Sequence, residues 1–292
     1  MRNIGIIGGG SIGLLYAARF AEEANVTLYV RRRAQMEDLH KNGLIDDKQV
    51  FLVKSFLSSS LEHVREQDLI LIAVKSYELE HLVSMLNQIP SDIPLLFIQN
   101  GLSHLSILEK LTANHIWLAT TTYGAMRLND FTVEQKGAGK TVFGVAKGEV
   151  TSAQLNFLQQ LPDFSFQFST DIEKALYEKL LINVAVNPLT AALGVANGQI
   201  LQNEHWHNAL IQIIHEANQV LNVEEAVSKV ESVLKATNEN ISSMAMDIKM
   251  GRQTEIDSIV LPVIERLEAC NQSASKLRLL YDIIKGKEQQ NV

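Results

Sequence analysis

Cysteine is almost absent from this chain, since Cys270 is the single one among 292 residues. One cysteine cannot form an intrachain disulfide, and it cannot build a zinc cluster. Such sparing use of cysteine is typical of proteins from a reducing compartment. We therefore expect a cytoplasmic protein that holds no metal.

Basic clusters and long apolar runs are also missing. No basic cluster exceeds Arg31-Arg32-Arg33, and the net charge is -7, which disfavours nucleic-acid binding. No apolar run approaches the roughly 18 residues that span a bilayer. The apolar stretch after Met1-Arg2 is interrupted by glycines and ended by Arg19, so we interpret it as a strand and a helix start, not a signal peptide. We expect neither a nucleic-acid nor a membrane partner.

Apolar residues are plentiful, at 46% of the chain, and charged residues make up 20% without large clusters. This composition is typical of globular domains with large cores. A chain of 292 residues is longer than a typical single domain of roughly 100–200 residues, so two domains are expected.

The first half alternates short apolar runs with helical patterns, which indicates an open parallel sheet with helices on both faces. Two short β-rich runs between Thr132 and Val145 flank Gly137-Ala138-Gly139-Lys140 and predict a hairpin. The predicted strands are 4–7, 26–30, 69–74, 95–98, 116–120 and 165–168, and the predicted helices are 12–23, 76–86 and 151–161.

The second half loses the β pattern from about Thr170 onward. Predicted helices cover 175–186, 208–221, 224–237, 255–269 and 277–284. We therefore predict an α/β N-terminal domain over residues 1–168 and an all-helical C-terminal domain over residues 169–292.

A glycine-rich loop joins the first predicted strand to the first predicted helix. It comprises Gly8, Gly9, Gly10, Ser11, Ile12 and Gly13, in the spacing of a Rossmann-type dinucleotide loop. The first glycine of that spacing permits the tight turn, the second leaves room for the pyrophosphate, and the third lets the helix pack closely. The helix N-terminus attracts phosphate charge. A glycine turn that binds nothing is the alternative.

The end of the second predicted strand discriminates between NAD and NADP. An NAD enzyme usually places an acid there, whereas this chain has Arg31-Arg32-Arg33 and no acid before Glu37. A guanidinium can bind the 2′-phosphate, so we predict NADP with Arg31 as its ligand, against the alternative of a solvated basic turn.

Two further strand ends carry polar residues where ligands of such sheets bind. Lys75 is a candidate for the adenosine phosphate, and Asn100 for the nicotinamide ribose or the substrate. Capping or surface roles are the alternative for both.

Lys179, Asn183 and Asn187 are spaced four apart, so they share one face of a helix that is otherwise apolar. A buried polar stripe needs partners, and a polar ligand would supply them. Alternatively, the lysine extends to solvent and the asparagines cap the helix end, where Pro188 is expected to end or kink the helix.

A second polar set occupies 238–244 and 254–257. The Ser and Asn residues are either ligand-binding or helix caps, and Glu255 is either functional or a capping carboxylate.

Taken together, these pieces resemble the ketopantoate reductase family over nearly the whole chain. The resemblance rests on the glycine loop, Ala73-Val74-Lys75, Asn100-Gly101, Lys179 with 183–190, Asn197-Gly198, 239–244 and 254–257. It implies NADPH-dependent reduction of 2-dehydropantoate to (R)-pantoate, a step towards pantothenate and coenzyme A.

The resemblance also implies individual roles. Lys179 matches the general acid, and Glu255 the carboxylate beside the cofactor ribose and the reacting centre. Asn183, Asn187, Asn197 and Ser243 match substrate-binding positions, Asn100 lies between cofactor and substrate, Lys75 and Ala125 match cofactor contacts, and Arg31 matches the 2′-phosphate ligand. Family members often have Asn-Gly after the 254–257 motif, where this chain has Val260-Leu261-Pro262.

Two other functions stay open at this stage. One is a paralogous NADP-dependent reductase of another 2-keto or β-hydroxy acid, which the same lysine would serve. The other is a non-catalytic NADP-binding regulator, against which the lysine–asparagine face and Glu255 argue. A homodimer also stays open, because no surface pattern decides whether the chain pairs.

Overall fold

The computed structural model describes residues 1–47 and 49–290. Two compact units form: Met1–Gln99 with Ser106–Ile172, and Asn100–Leu105 with the chain from Glu173 onward. The first unit contains the sheets and the second is helical, so the predicted fold class is confirmed. The short segment Asn100–Leu105 belongs to the helical unit although it lies within the α/β half of the sequence.

The strands are β1 Asn3–Ile7, β2 Asn25–Val30, β3 Leu44–Asp46, β4 Gln49–Phe51, β5 Lys54–Leu57, β6 Leu69–Ile72, β7 Leu95–Phe97, β8 Ile116–Thr121, β9 Ala125–Arg127, β10 Thr132–Gln135, β11 Thr141–Lys147 and β12 Phe166–Phe168. The helices are α1 Ser11–Ala21, α2 Arg33–Asn42, α3 Leu79–Leu86, α4 Leu105–Leu108, α5 Ser152–Gln159, α6 Ile172–Leu193, α7 Gln199–Gln202, α8 Glu204–Leu221, α9 Ala226–Ala236, α10 Ser243–Lys249, α11 Ile256–Ile259, α12 Leu261–Ala269 and α13 Ser275–Gln290.

The large sheet has the strand order β12-β11-β8-β7-β6-β1-β2-β5. From β5 to β8 all neighbours are parallel, and in order of appearance these six strands run 3-2-1-4-5-6, the dinucleotide-binding order. The apolar run Leu69–Ile72 is fully buried, as a central parallel strand requires. The order reverses between β1 and β6, and the glycine loop follows β1 at this switch point.

The predicted hairpin across Gly137-Ala138-Gly139-Lys140 is wrong. β10 pairs with β9 and β3 in a separate four-stranded sheet, whereas β11 pairs with β8 and β12 in the large sheet. Gly139 serves a close backbone approach instead of a two-strand turn. A Cβ on Gly139 would lie 2.6 Å from the nitrogen of Tyr123, and the Thr122 amide donates to the Lys140 carbonyl at 2.9 Å.

Elements between Val30 and Leu69 carry no clear periodicity in the sequence, and none was predicted there. In the structure this stretch forms α2 and the short strands β3, β4 and β5. Each of these strands has three or four residues, too few for an alternation to stand out from the background.

Of the two outcomes expected at Pro188, an end or a kink of the helix, the end is wrong. α6 continues to Leu193 with Pro188 inside it. A proline inside a helix costs about 3 kcal/mol, mainly because one backbone hydrogen bond is lost. Burial on both sides of the proline, at Val186 and Leu189, offsets this cost, since most helix stability in proteins comes from packing.

The single helix predicted over 255–269 is interrupted at Val260, between α11 and α12. Pro262 lies in the first turn of α12, where a missing N–H is tolerated. Without that N–H, the Ser258 carbonyl has no helical donor four residues later and is available to another backbone.

Among the described residues, no helix is long and apolar enough to cross a bilayer. Within the same residues, no group of three or more His, Cys, Asp or Glu side chains is placed to hold a metal ion.

Candidate active site

The glycine loop is shaped by close backbone contacts at its first and last glycines. Gly8 has φ +117°, and a Cβ there would lie 2.9 Å from the Ala73 carbonyl carbon. A Cβ on Gly13 would lie 1.9 Å from the Gly8 carbonyl oxygen, so α1 can pack this closely only with glycine. At Gly10, by contrast, a Cβ would meet nothing within 4 Å. The middle of the loop is therefore open beside the N-terminus of α1, as a bound pyrophosphate requires.

The loop is also held by two side chains that sequence reasoning missed. Gln35 Nε2 donates to the Gly9 carbonyl at 2.8 Å and to the Asp130 carbonyl at 3.0 Å. Arg127 donates through Nη1 to the same Gly9 carbonyl at 3.3 Å and through its amide to Ser11 Oγ at 3.3 Å. The small sheet is thus connected to the loop, a link between distant segments that no local pattern signals.

Arg31 lies at the end of β2 with 78% of its side chain exposed, and its Nη1 is 3.1 Å from Glu78 Oε1. Such an exposed ion pair is worth about 0–1 kcal/mol, so an incoming dianion can displace Glu78 at little cost. Arg32 is engaged elsewhere, in a short ion pair with Asp130. Arg31 is therefore the better placed of the two to reach a phosphate, and Glu78 is a neighbour that sequence reasoning missed.

Two other predicted cofactor residues lie in the first unit. Lys75 is exposed and precedes the short 3-10 turn Ser76–Glu78 that follows β6. Ala125 is the first residue of β9 and is half-buried.

The second unit brings Asn100, Lys179 and Glu255 together from segments far apart in sequence. Lys179 Nζ donates to Asn100 Oδ1 at 2.9 Å, and Asn100 Nδ2 donates to Glu255 Oε2 at 3.1 Å. The asparagine thereby bridges the ammonium and the carboxylate. Lys179 does not simply extend to solvent, and Glu255, though it precedes α11, makes no capping hydrogen bond there.

The electrostatics of this cluster favour a proton donor. Burial lowers the pKa of Lys179 from 10.5 to about 8, and the Glu255 carboxylate opposes this by raising it. Desolvation is the larger effect, because most of the Lys179 side chain is enclosed by protein and only part of the residue keeps access to solvent. A lysine with this pKa is charged near neutrality and can release its proton readily.

The Asn100 loop is anchored by the interruption between α11 and α12. The Leu102 amide donates to the Ser258 carbonyl at 3.1 Å, which is the carbonyl that Pro262 leaves without a helical donor. Gly101 has φ +80°, and a Cβ there would lie 1.9 Å from the same oxygen. The Val260-Leu261-Pro262 segment thus has a structural use in holding the loop that carries Asn100.

The remaining predicted residues are also in the second unit. Asn183 and Asn187 lie well inside α6, so they do not cap its end, and neither side chain hydrogen-bonds within the described part of the chain. Asn197 is 8% exposed; its Nδ2 donates to Thr237 Oγ1 at 3.0 Å, while its Oδ1 has no partner among the described residues. Ser243 is exposed at the start of α10, and its neighbour Ser242 provides the cap. Polar groups are thus available for a ligand.

Chemically, the second unit offers an ammonium with a lowered pKa, a carboxylate and several amides, a combination that can bind a polar carbonyl compound and give it a proton. The first unit, considered by itself, offers a glycine loop that is open at a helix N-terminus and an exposed guanidinium, groups that can bind anions.

Comparisons with known proteins agree along the whole chain. Residues 4–148 match the family model described as "Ketopantoate reductase PanE/ApbA", and residues 171–288 match its C-terminal model. A 2-dehydropantoate 2-reductase of Listeria innocua is 41% identical, covering 98% of this chain and 97% of the relative. One from Bacillus subtilis is 33% identical, covering 98% of this chain and 97% of the relative.

Solved structures share the fold. The crystal structure of a probable 2-dehydropantoate 2-reductase from Bacillus subtilis has a TM-score of 0.86 at 31% identity, covering 98% of this chain and 100% of that one. D-mandelate dehydrogenase with NADH and anilino(oxo)acetate has a TM-score of 0.89 at 22% identity, with 99% of both chains covered, and shares the fold. The two family models and the full-length relatives lead to one conclusion: this chain belongs to the ketopantoate reductase family of oxidoreductases.

Proposed function

We propose that this protein reduces 2-dehydropantoate to (R)-pantoate with NADPH, a cytoplasmic step towards pantothenate and coenzyme A. The observation that carries the proposal is the hydrogen-bonded set of Lys179, Asn100 and Glu255, with the pKa of Lys179 lowered to about 8. The names of the full-length relatives support the choice of substrate.

Lys179 is the general acid in this proposal. Reduction of a ketone places negative charge on the carbonyl oxygen, and a nearby ammonium stabilises that charge and then donates its proton. Asn100 holds the ammonium in place, and Glu255 keeps it protonated near neutral pH by raising its pKa. The nicotinamide cofactor supplies the hydride when it is bound.

We assign substrate binding to the polar groups of the helical unit. Asn183 and Asn187 lie on the same face of α6 as Lys179, so they can hydrogen-bond a carboxylate or hydroxyl of one small molecule. Asn197 contributes a buried oxygen that has no partner in the described part of the chain, and Ser243 contributes a hydroxyl at the start of α10.

We assign cofactor binding mainly to the proposed N-terminal domain, residues 1–168. Gly8, Gly9, Gly10, Ser11, Ile12 and Gly13 receive the pyrophosphate, and Arg31 receives the 2′-phosphate. Lys75 and Ala125 are further cofactor contacts, and Asn100 and Glu255 from the helical unit contact the nicotinamide ribose.

An assay of the purified protein tests the proposal. NADPH oxidation is measured with 2-dehydropantoate and with a panel of other 2-oxo acids, each with NADPH and with NADH. We expect the highest kcat/KM for 2-dehydropantoate with NADPH. Turnover only with another 2-oxo acid would select the paralogous reductase, and NADPH binding without any turnover would select the regulator.

Replacing Arg31 with alanine is expected to weaken the binding of NADPH much more than the binding of NADH. A charge-assisted hydrogen bond is worth about 1.5–3 kcal/mol, so the KM for NADPH should rise about tenfold or more, with less than about a twofold change for NADH. Arg33→Ala, at the exposed first residue of α2, is the matched control and should change the KM of neither cofactor. Glu78→Gln should lower the KM for NADPH, because Glu78 competes for Arg31. Equal losses for both cofactors in Arg31→Ala would contradict the phosphate role.

The pH profile of the reduction should report Lys179. Since the acid form is the protonated one, kcat/KM is expected to be flat near pH 6–7, to reach half at a pH of about 8 and to fall tenfold per unit above it. Glu255→Gln removes a charge that raises the pKa of Lys179, so the alkaline limb should move to lower pH. An alkaline limb centred near pH 10.5, the ordinary pKa of a lysine, would show that burial does not lower the pKa of Lys179.

A further inference from the structure

The last helix, α13, is tied by polar side chains to the segment that contains Glu255. Glu288 Oε1 accepts two hydrogen bonds from Thr254, one from its amide and one from its hydroxyl, both at 2.7 Å. Tyr281 and Lys285 bind the other side of the segment, donating to the two Asp257 carboxylate oxygens at 2.6 and 3.1 Å. Residues 281, 285 and 288 share one helix face, so a single face of α13 contacts both neighbours of the Glu255–Ile256 dipeptide.

The contact between Glu288 and Thr254 is enclosed. Thr254 is 1% exposed, and the Glu288 side chain is 12% exposed. The Thr254 hydroxyl also accepts the Ile256 amide at 3.2 Å. The backbone amides on both sides of Glu255 are therefore connected to Glu288, that of Thr254 directly and that of Ile256 through the Thr254 hydroxyl. A buried donor that is left without an acceptor is strongly unfavourable, so loss of this contact is enough to displace a short segment.

The same helix contacts the end of α6. Lys287 Nζ donates to the Ala191 carbonyl at 3.1 Å, near the C-terminus of the helix that carries Lys179. α13 therefore hydrogen-bonds to two of the three elements that supply Asn100, Lys179 and Glu255, namely α6 and the segment that contains Glu255.

We infer that Glu288 is a positioning residue for the reaction, acting through Thr254 to hold the Glu255 carboxylate against Asn100. This inference rests on the proposed function, because it assigns Glu288 a purpose in that chemistry. Among the described residues, Glu288 makes no hydrogen bond or ion pair with any of the three. A displacement of about 1 Å in a catalytic group can cost about a hundredfold in rate, so a distant acceptor that fixes the backbone can matter for turnover.

The acceptor oxygen of Glu288, more than its charge, is what Thr254 requires. Gln at this position keeps an Oε1 that can accept both Thr254 hydrogen bonds and gives up the ion pair with Lys285, which spans 2.8 Å. Ala removes both. Glu288→Gln and Glu288→Ala therefore separate positioning from a general electrostatic contribution of α13.

The test measures kcat and KM for 2-oxo acid reduction, the Kd for NADPH, and amide hydrogen exchange over residues 252–260. Glu288→Ala should lower kcat at least about tenfold, change the NADPH Kd less than about twofold and speed exchange at Thr254 and Ile256. Glu288→Gln should keep kcat within about threefold of the native protein and leave exchange slow. Asp282→Ala, an exposed carboxylate on the same helix, is the matched control and should behave like the native protein.

An unchanged kcat in Glu288→Ala, or equal losses in the Ala and Gln variants, would overturn the inference. If Glu288→Ala does not fold, two variants of Thr254 replace the test and leave the Glu288 acceptor intact. Thr254→Val removes the hydroxyl and should behave as described for Glu288→Ala. Thr254→Ser keeps the hydroxyl and should behave as described for Glu288→Gln. Failure of the native protein to reduce any 2-oxo acid would overturn the proposed function. In that case exchange decides: faster exchange in Glu288→Ala but not in Glu288→Gln supports the contact as the anchor of Glu255, and unchanged exchange refutes it.

Discussion

Lys179→Ala is expected to lower kcat for ketone reduction by about a hundredfold or more, with little change in the KM for NADPH. A positioned general acid contributes about 10²–10⁴-fold, and this lysine also stabilises the developing oxyanion. The lowered pKa of Lys179 makes its proton easier to transfer near neutral pH. Among the described residues, no other ammonium hydrogen-bonds to Asn100. The measurement is steady-state kinetics at a pH near 7, where the native lysine is protonated.

The control for this experiment is Lys235→Ala, which removes a lysine with 68% of its side chain exposed from another helix of the same unit. It should leave kcat unchanged. Single-turnover measurements on Lys179→Ala should show that the chemical step itself is slower. A Lys179→Ala protein with native kcat would exclude this lysine from proton transfer.

Gly10→Ala is expected to weaken NADPH binding at least about tenfold while the fold stays intact. A Cβ at Gly10 meets no protein atom within 4 Å, and the backbone there has φ -81°, which alanine adopts readily. The methyl group would instead fill the space into which the pyrophosphate must fit, and each tenfold loss corresponds to about 1.4 kcal/mol. Fluorescence titration with NADPH measures the affinity, and thermal unfolding measures stability.

Gly286→Ala is the matched control, because a Cβ there also meets nothing within 4 Å and the residue lies in α13. In a helix interior this change should stabilise by about 0.5–1 kcal/mol and leave NADPH binding unchanged. A Gly10→Ala protein that binds NADPH as tightly as the native one would mean that the pyrophosphate does not lie over this loop.

Prediction from the sequence succeeded where a signal was local and periodic. The parallel strands appear as continuous apolar runs such as Leu69–Ile72, and the spacing of Lys179, Asn183 and Asn187 places them on one face of α6. It failed where a partner strand or a neighbouring element decided the outcome. β10 and β11 look like two arms of a hairpin, yet each finds its partners in a different sheet. Pro188 looks like a helix end, yet packing on both sides carries α6 through it.

Local sequence features were enough to predict the fold class, the glycine loop with its dinucleotide spacing, the arginine at the end of β2 and the polar face of α6. These features depend on residues within a few positions of one another, where backbone sterics and helical periodicity act. Three contacts could be found only in the folded chain: Asn100 bridges Lys179 and Glu255, the Ser258 carbonyl accepts the Leu102 amide and anchors the Asn100 loop, and Glu288 binds Thr254. Those contacts join residues separated by 34 to 156 positions, and hydrogen bonds at such separations arise only when the packed helices have fixed the path of the chain.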